Sequence, residues 1–329
     1  MGQQGARFSS FQSLATRLSE EPPLLQGTII RRFRWHDLIE WTELFNEVCG
    51  NTGTAGAFDI ELAQQFLSQP TCKPEANCFL AESHGSMVGF TLIAPELPIG
   101  RSVASGGVVE SHRNGGIGRM LLEAAVRRSE ELGTSVLHVQ ASSNSDAARH
   151  LLESSGFRLV RTYSLMRWEG EDVSKPDPPP GFRLRAFRGN RDEEALTRLQ
   201  NASFAANWGF CPNTIDETEA RLRLKTCDPN GVIFATHGDR MAGYNWTFKA
   251  VGPGSSIGWI GMTGVHPEYR GYGLGKVVAL AGMEFLTARG VRLIELEVDE
   301  QNDAAKNIYL SIGFVTAQER PWYERAFGV

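Results

Sequence analysis

Hydrophobic and polar positions along the chain follow one order of patterns, and that order occurs twice. TIIRRFR (28–34) and FRLRAFR (182–188) alternate as half-buried strands do. In the second half VIFATH (232–237), MAGYNWTFK (241–249) and IGWIGMTGV (257–265) carry the β-branched and aromatic residues of strands. Amphipathic runs at Arg119–Leu132 and Lys276–Ala288 predict helices that stop at Gly133 and Gly290, residues suited to a helix C-terminus. SVLHVQ (135–140) and RLIELEV (292–298) follow as strands. SDAARHLLESSGF (145–157) and NDAAKNIYLSIGF (302–314) then read as short helices ended by Gly-Phe. Each copy is thus strand, one or two helices, two or three strands, glycine loop, helix, strand, helix, strand. Runs of strands ahead of a βαβα series predict a mixed α/β fold with helices on both faces of the sheet.

The repeat divides the 329 residues into 27–170 and 181–329. Between them EDVSKPDPPP (171–180) holds four prolines and reads as a stiff linker. Residues 1–26 have weak periodicity and read as an N-terminal extension. A net charge of −5 gives non-specific nucleic-acid binding no electrostatic support. No apolar run reaches the length of a membrane span, and the first residues lack an apolar signal core, so a cytoplasmic protein is expected. The five cysteines are scattered and read as reduced thiols; Cys72 and Cys78 have no matching pair or nearby histidine, so no metal is expected.

The chemistry concentrates in the glycine loops. Residues 107–118 read GVVESHRNGGIG and 264–275 read GVHPEYRGYGLG, with Arg113 and Arg270 set 157 positions apart. Arg-x-x-Gly-x-Gly joins a strand to a helix in both. Glycines let backbone N–H groups approach an anion, and the helix N-terminus adds unpaired donors and partial positive charge. Such loops suit a phosphate or pyrophosphate. Arg113, Asn114, Gly115, Gly116, Ile117, Gly118 and Arg119 form one candidate site; Arg270, Gly271, Tyr272, Gly273, Leu274, Gly275 and Lys276 form the other. Val277 follows Lys276 where a P-loop needs Ser or Thr, and neither loop completes Gly-x-Gly-x-x-Gly.

The whole series resembles the Gcn5-related N-acetyltransferase (GNAT) family, twice in one chain and over nearly its full length. The resemblance implies two tandem domains, each a mixed, mostly antiparallel twisted sheet flanked by helices. It implies acetyl-CoA as cosubstrate, its pyrophosphate in the Arg-x-x-Gly-x-Gly loop. It also implies a tyrosine on the last helix that protonates the departing thiolate. In the second copy Asn302, Ala305, Tyr309, Gly313 and Phe314 match the family's later motif. Tyr309 is the expected acid, Asn302 a pantetheine contact or helix cap, and Val265 the strand residue whose backbone meets the thioester. The first copy has Leu152 where Tyr309 is expected and Ser145 in place of Asn302. It is therefore expected to bind CoA or to be structural, with the second copy catalytic.

Amide formation also needs a neutral amine. Glu295, Glu297 and Asp299 share one face of a strand, and Leu296-Glu297-Val298 matches a stretch in which some family members place a general base. Glu297 is the first candidate, with a water relay or a solvated carboxylate row as alternatives. Trp208 and Phe210, within 201–222, are candidate acceptor-pocket residues; Trp246 and Trp259 are either pocket walls or core. Asp216, Glu217 and Glu219 either meet a cationic amine or form an acidic helix start. The expected activity is acetyl transfer to a primary amine of a small molecule or peptide. Alternatives are a non-catalytic acyl-CoA sensor and a transferase using a longer acyl donor.

Overall fold

The computed structural model describes residues 27–49, 57–250 and 256–328; the expected N-terminal extension lies outside them. The first copy contributes β1 (Thr28–Arg32), α1 (Leu38–Cys49), α2 (Ile60–Leu67), α3 (Pro74–Asn77), β2 (Cys78–Ser83), β3 (Ser86–Glu96) and β4 (Arg101–Val108). It continues with α4 (Ile117–Glu131), β5 (Val136–Gln140), α5 (Asp146–Ser154) and β6 (Arg158–Glu169). The second copy contributes β7 (Phe182–Ala186), α6 (Glu193–Phe204), α7 (Ile215–Leu222), β8 (Val232–His237), β9 (Arg240–Lys249) and β10 (Ile257–Val265). It ends with α8 (Leu274–Thr287), β11 (Leu293–Asp299), α9 (Asp303–Ser311) and β12 (Val315–Ala326). Helices flank the sheet, and its pairing is antiparallel except at β4–β5 and β10–β11.

The twelve strands of the described residues join one sheet in the order β1-β2-β3-β4-β5-β12-β6-β11-β10-β9-β8-β7. The copies therefore exchange their last strands. β6 pairs with β11 of the second copy, β12 pairs with β5 of the first, and β6 and β12 pair with each other at the centre. The exchange carries side chains into the opposite core. Met166 and Trp168 of β6 lie in the cluster with Ile294, Leu296 and Tyr309, while Tyr323 of β12 lies with Leu137, Leu152 and Phe157. The carboxylate row of β11 meets cations from these strands: Arg167–Glu295 at 2.6 Å, Arg320–Glu297 at 3.2 Å and Arg161–Asp299 at 2.6 Å. Glu297 also accepts from its repeat mate Gln140 at 3.1 Å.

Two smaller devices repeat where the sequence motifs do not reach. Asp37 and Asp192 each accept both terminal nitrogens of an arginine on the first strand, Arg31 and Arg185, and a backbone N–H from Arg34 and Arg188. Asn46 and Asn201 each clasp the backbone ahead of the next helix, at Phe58 and Asn213, through paired hydrogen bonds. Each clasp satisfies backbone groups that would otherwise lack partners.

Candidate active site

Both glycine loops enter their helices by the same backbone path. Asn114 and Gly116 have φ of 62° and 89°; Gly271 and Gly273 have 87° and 77°. Left-handed residues at alternate positions turn successive N–H groups toward one concavity, an arrangement that favours anions. Gly116 and Gly273 are the N-caps of α4 and α8, and neither helix has a side-chain cap. The short helices differ: Ser145 caps α5 through Ala148 N–H, and Asn302 caps α9 through Ala305 N–H at 3.1 Å. Ile117 and Leu274 anchor the helix starts in the core. Gly118 and Gly275 bring them against Leu151 and Ile308. Tyr272 packs on Phe182, with ring centroids 5.5 Å apart, and Lys276 is exposed beside the loop.

The arginines do not point into the concavity. Arg270 donates to the Ser203 carbonyl at 2.9 Å, tying the loop to the end of α6. Arg113 donates to the Val108 carbonyl at 3.0 Å, and Arg119 donates to Ser154 Oγ at 3.1 Å. In this arrangement the first arginine of each motif braces its loop.

β10 and β11 pair as parallel strands only from Ile257–Leu293 to Trp259–Glu295, and then separate. A bulge between Ile260 and Met262 shifts the register of β10 against β9 at the point of separation. Past it, Thr263 comes opposite Asn245, which donates to Thr263 Oγ1 at 2.8 Å. The Tyr309 hydroxyl, from α9, shares a hydrogen bond with Thr263. Burial raises the Tyr309 pKa above the ordinary phenol value, and the Thr263 bond offsets only part of that rise. The phenol is therefore protonated at neutral pH and fixed beside the cleft. Val265 ends β10 against Gly243.

The first copy loses this chain of contacts at every link. Opposite Thr91, β4 has Gly106; its register with β3 runs without a bulge; and Leu152 is buried in the core.

On the other face of β10, α6, α7 and the segment between them enclose an open cavity of about 500 Å³. Phe204, Phe210, Phe248 and Met262 supply apolar wall; Gln200, Asn213 and Arg221 supply polar groups; Gly261 of the bulge reaches its floor. Glu96 of the first copy also lines it, ion-paired with Arg101. Gly209 has φ of 64°, and a Cβ there would lie 2.0 Å from Arg101 Nη1. The segment thus rests on the first copy. Trp208 joins His138, Tyr163 and Trp322 in an aromatic cluster at the seam between copies.

These features match known proteins. The profile of the Acetyltransferase (GNAT) family covers residues 35–157 and again 193–314. The chain belongs to the GNAT family. Among its GNAT relatives, a mycothiol acetyltransferase of Thermobispora bispora is 33% identical over 235 residues, 69% of this chain and 76% of that one. A mycothiol acetyltransferase of Thermomonospora curvata is 33% identical over 239 residues, 71% and 77%. The fold is shared with a tandem GNAT protein from the clavulanic acid biosynthesis pathway, with TM-score 0.73 at 18% identity, covering 92% of this chain and 99% of that one. It is also shared with a GCN5-related N-acetyltransferase from Sphaerobacter thermophilus, with TM-score 0.72 at 19% identity, covering 92% and 97%. This tandem GNAT chain is an acetyltransferase.

Other candidates of this GNAT site are engaged in packing, capping or ion pairs. Trp246 is fully buried behind the pocket wall; its Nε1 donates to Cys227 Sγ at 3.2 Å and its ring stacks on Phe248. Trp259 is half-buried on β10, paired with Glu295 at the seam. Glu217 accepts from Thr214 N–H and hydroxyl in a capping box, so it serves the start of α7. Glu297 faces away from the Tyr309 core, toward Arg320 and Gln140. Sequence reading missed Thr263, Asn245, Gln200, Arg221 and Glu96. The two strand residues become visible only through cross-strand register, and the pocket residues lie in no motif. No helix among the described residues is long and apolar enough to cross a membrane.

Proposed function

We propose that the second copy transfers acetyl from acetyl-CoA directly to a primary amine of a small molecule or peptide in a ternary complex. The uncapped start of α8 with its Gly271–Gly273 turn holds the pyrophosphate, and the β10–β11 cleft receives the pantetheine arm, which Asn302 contacts. The amine nitrogen attacks the thioester carbonyl carbon, with backbone N–H groups near Val265 facing the oxyanion. The C–S bond then breaks, Tyr309 gives its proton to the CoA thiolate, and the amine proton leaves by way of water to Glu297. The observation that carries this reading is the buried, protonated Tyr309 held by Thr263 beside the cleft. Trp208 and Phe210 border the acceptor. The relatives named for mycothiol support a small-molecule acceptor. The first copy keeps the anion loop without the acid and serves binding or structure.

The test is thiol release from acetyl-CoA by the full chain across amino acids, aminoglycosides, other amines and peptides. Release that needs both an amine and Tyr309 supports the reading. CoA binding without release from any amine would leave an acyl-CoA sensor instead. Competition among acyl-CoAs separates acetyl from longer donors.

A further inference from the structure

Arg221 makes no ion pair among the described residues. It lies on α7 in the wall of the acceptor cavity, over the Trp246 ring at 5.7 Å. The guanidinium's only hydrogen bonds among the described residues are long ones, 3.4 and 3.5 Å, to Asn213 Oδ1. The other arginines drawn toward the interior here are matched: Arg101 by Glu96, Arg161 by Asp299, Arg167 by Glu295 and Arg185 by Asp192. Glu217, one helical turn before Arg221, attracts it from a distance but spends its oxygens on the Thr214 cap. The other carboxylate of the cavity, Glu96, is taken by Arg101. The guanidinium therefore has no carboxylate in direct contact among the described residues.

Nearby polar groups are also unsatisfied. Gln200, 2% exposed on the same cavity, has no partner for Oε1, and the buried Tyr244 hydroxyl has none. Burying a guanidinium and an amide without partners is costly unless a ligand completes them. A guanidinium presents parallel N–H groups that fit a carboxylate, while Gln200 Oε1, an acceptor, suits an N–H of the same ligand. Gly261 and Met262, on the same cavity, adjoin Thr263 and hence the acetyl-transfer centre. An amine at that centre and an acid at Arg221 can therefore belong to one small molecule.

We propose that the acceptor is an amino acid or similar compound whose carboxylate is received by Arg221, with Gln200 beside it. This rests on the acetyltransferase reading and specifies its acceptor class. The experiment uses leucine, methionine and phenylalanine, each paired with its α-carboxamide, at equal concentrations of neutral amine. Thiol release from acetyl-CoA should favour the acid by roughly 10- to 100-fold in kcat/KM, the range expected of hydrogen bonds to charged groups. In Arg221→Met the acid-to-amide ratio should fall toward one; Arg221→Lys should recover part of it, and Gln200→Leu should lower kcat/KM for acid and amide alike. Equal use of acids and amides by the wild type, or an unchanged ratio in Arg221→Met, overturns the proposal. If no amine releases thiol, the transferase reading fails, and binding decides the carboxylate site separately. Calorimetric binding of N-acetylmethionine to the CoA-loaded protein, lost in Arg221→Met, supports the site; no binding, or binding unchanged in the variant, overturns it.

Discussion

Tyr309 and Leu152 occupy equivalent places on the last helices of the two copies, and their surroundings differ with them. Tyr309 meets Thr263, which accepts from Asn245; Leu152 packs with Ile93, Ala104 and Leu137, and Gly106 and Thr91 pair on the corresponding strands. Tyr309→Phe should lower kcat by roughly 10²- to 10⁴-fold, the usual contribution of a positioned proton donor. CoA affinity, read by calorimetry, should change less than about twofold, since in the proposed mechanism the hydroxyl meets the thiolate only as it departs. Normal turnover in that variant would remove Tyr309 from the mechanism. Its pKa also links to stability. Burial raises it, so between the unfolded and folded values the native state keeps a proton that the unfolded chain has released. Unfolding free energy should therefore fall as pH rises through and above 10, and this loss should be smaller in Tyr309→Phe. Denaturant titrations of both proteins across that range would show the difference. Tyr309 was legible from its spacing to Gly313, but Thr263 was not, because a bulge two residues earlier decides which face it takes.

At the level of elements, the helix starts divide by how their N–H groups are satisfied. α5, α7 and α9 have side-chain caps; α4 and α8 begin at left-handed glycines and have none. A carboxylate introduced at Gly273 would occupy the anion site with its own charge and force a side chain into a left-handed position, costing about 1–2 kcal/mol. Gly273→Glu should raise the KM for acetyl-CoA at least tenfold. Gly116→Glu should abolish any CoA binding by the first copy while turnover continues. Turnover lost in folded Gly116→Glu would mean that both copies react. The glycine motif made these loops visible in the sequence. The Asp37 and Asp192 clasps were not, since each joins residues whose types are common on any surface. Burial alone would raise both carboxyls; hydrogen bonds from Arg31 and Arg185 and from backbone N–H groups hold them below the ordinary range.

For the whole molecule, exchange of β6 and β12 makes the two copies one folding unit. Residues 181–329 alone would lose Met166 and Trp168 from the core around Tyr309 and expose β11 as an unpaired edge with a row of carboxylates. That fragment should aggregate or remain unfolded by circular dichroism. A chain cut once within 171–180 should elute as one species and retain activity, since the central strands stay paired. A stable, monomeric, active fragment 181–329 would contradict the exchange. The sequence by itself determined the duplication, the order of elements, the two glycine loops and the inequality of Tyr309 and Leu152, because local periodicity and fixed spacing record each of these. Tertiary structure alone decided which copy receives each last strand. Backbone hydrogen bonds of a strand are the same whichever neighbour they meet, so alternation names a face and not a partner. The same holds for the charges: Glu295, Glu297 and Asp299 read as a free row until Arg167, Arg320 and Arg161 arrive from exchanged strands, and Arg221 reads as an ordinary helix arginine until the packed cavity leaves it without a carboxylate.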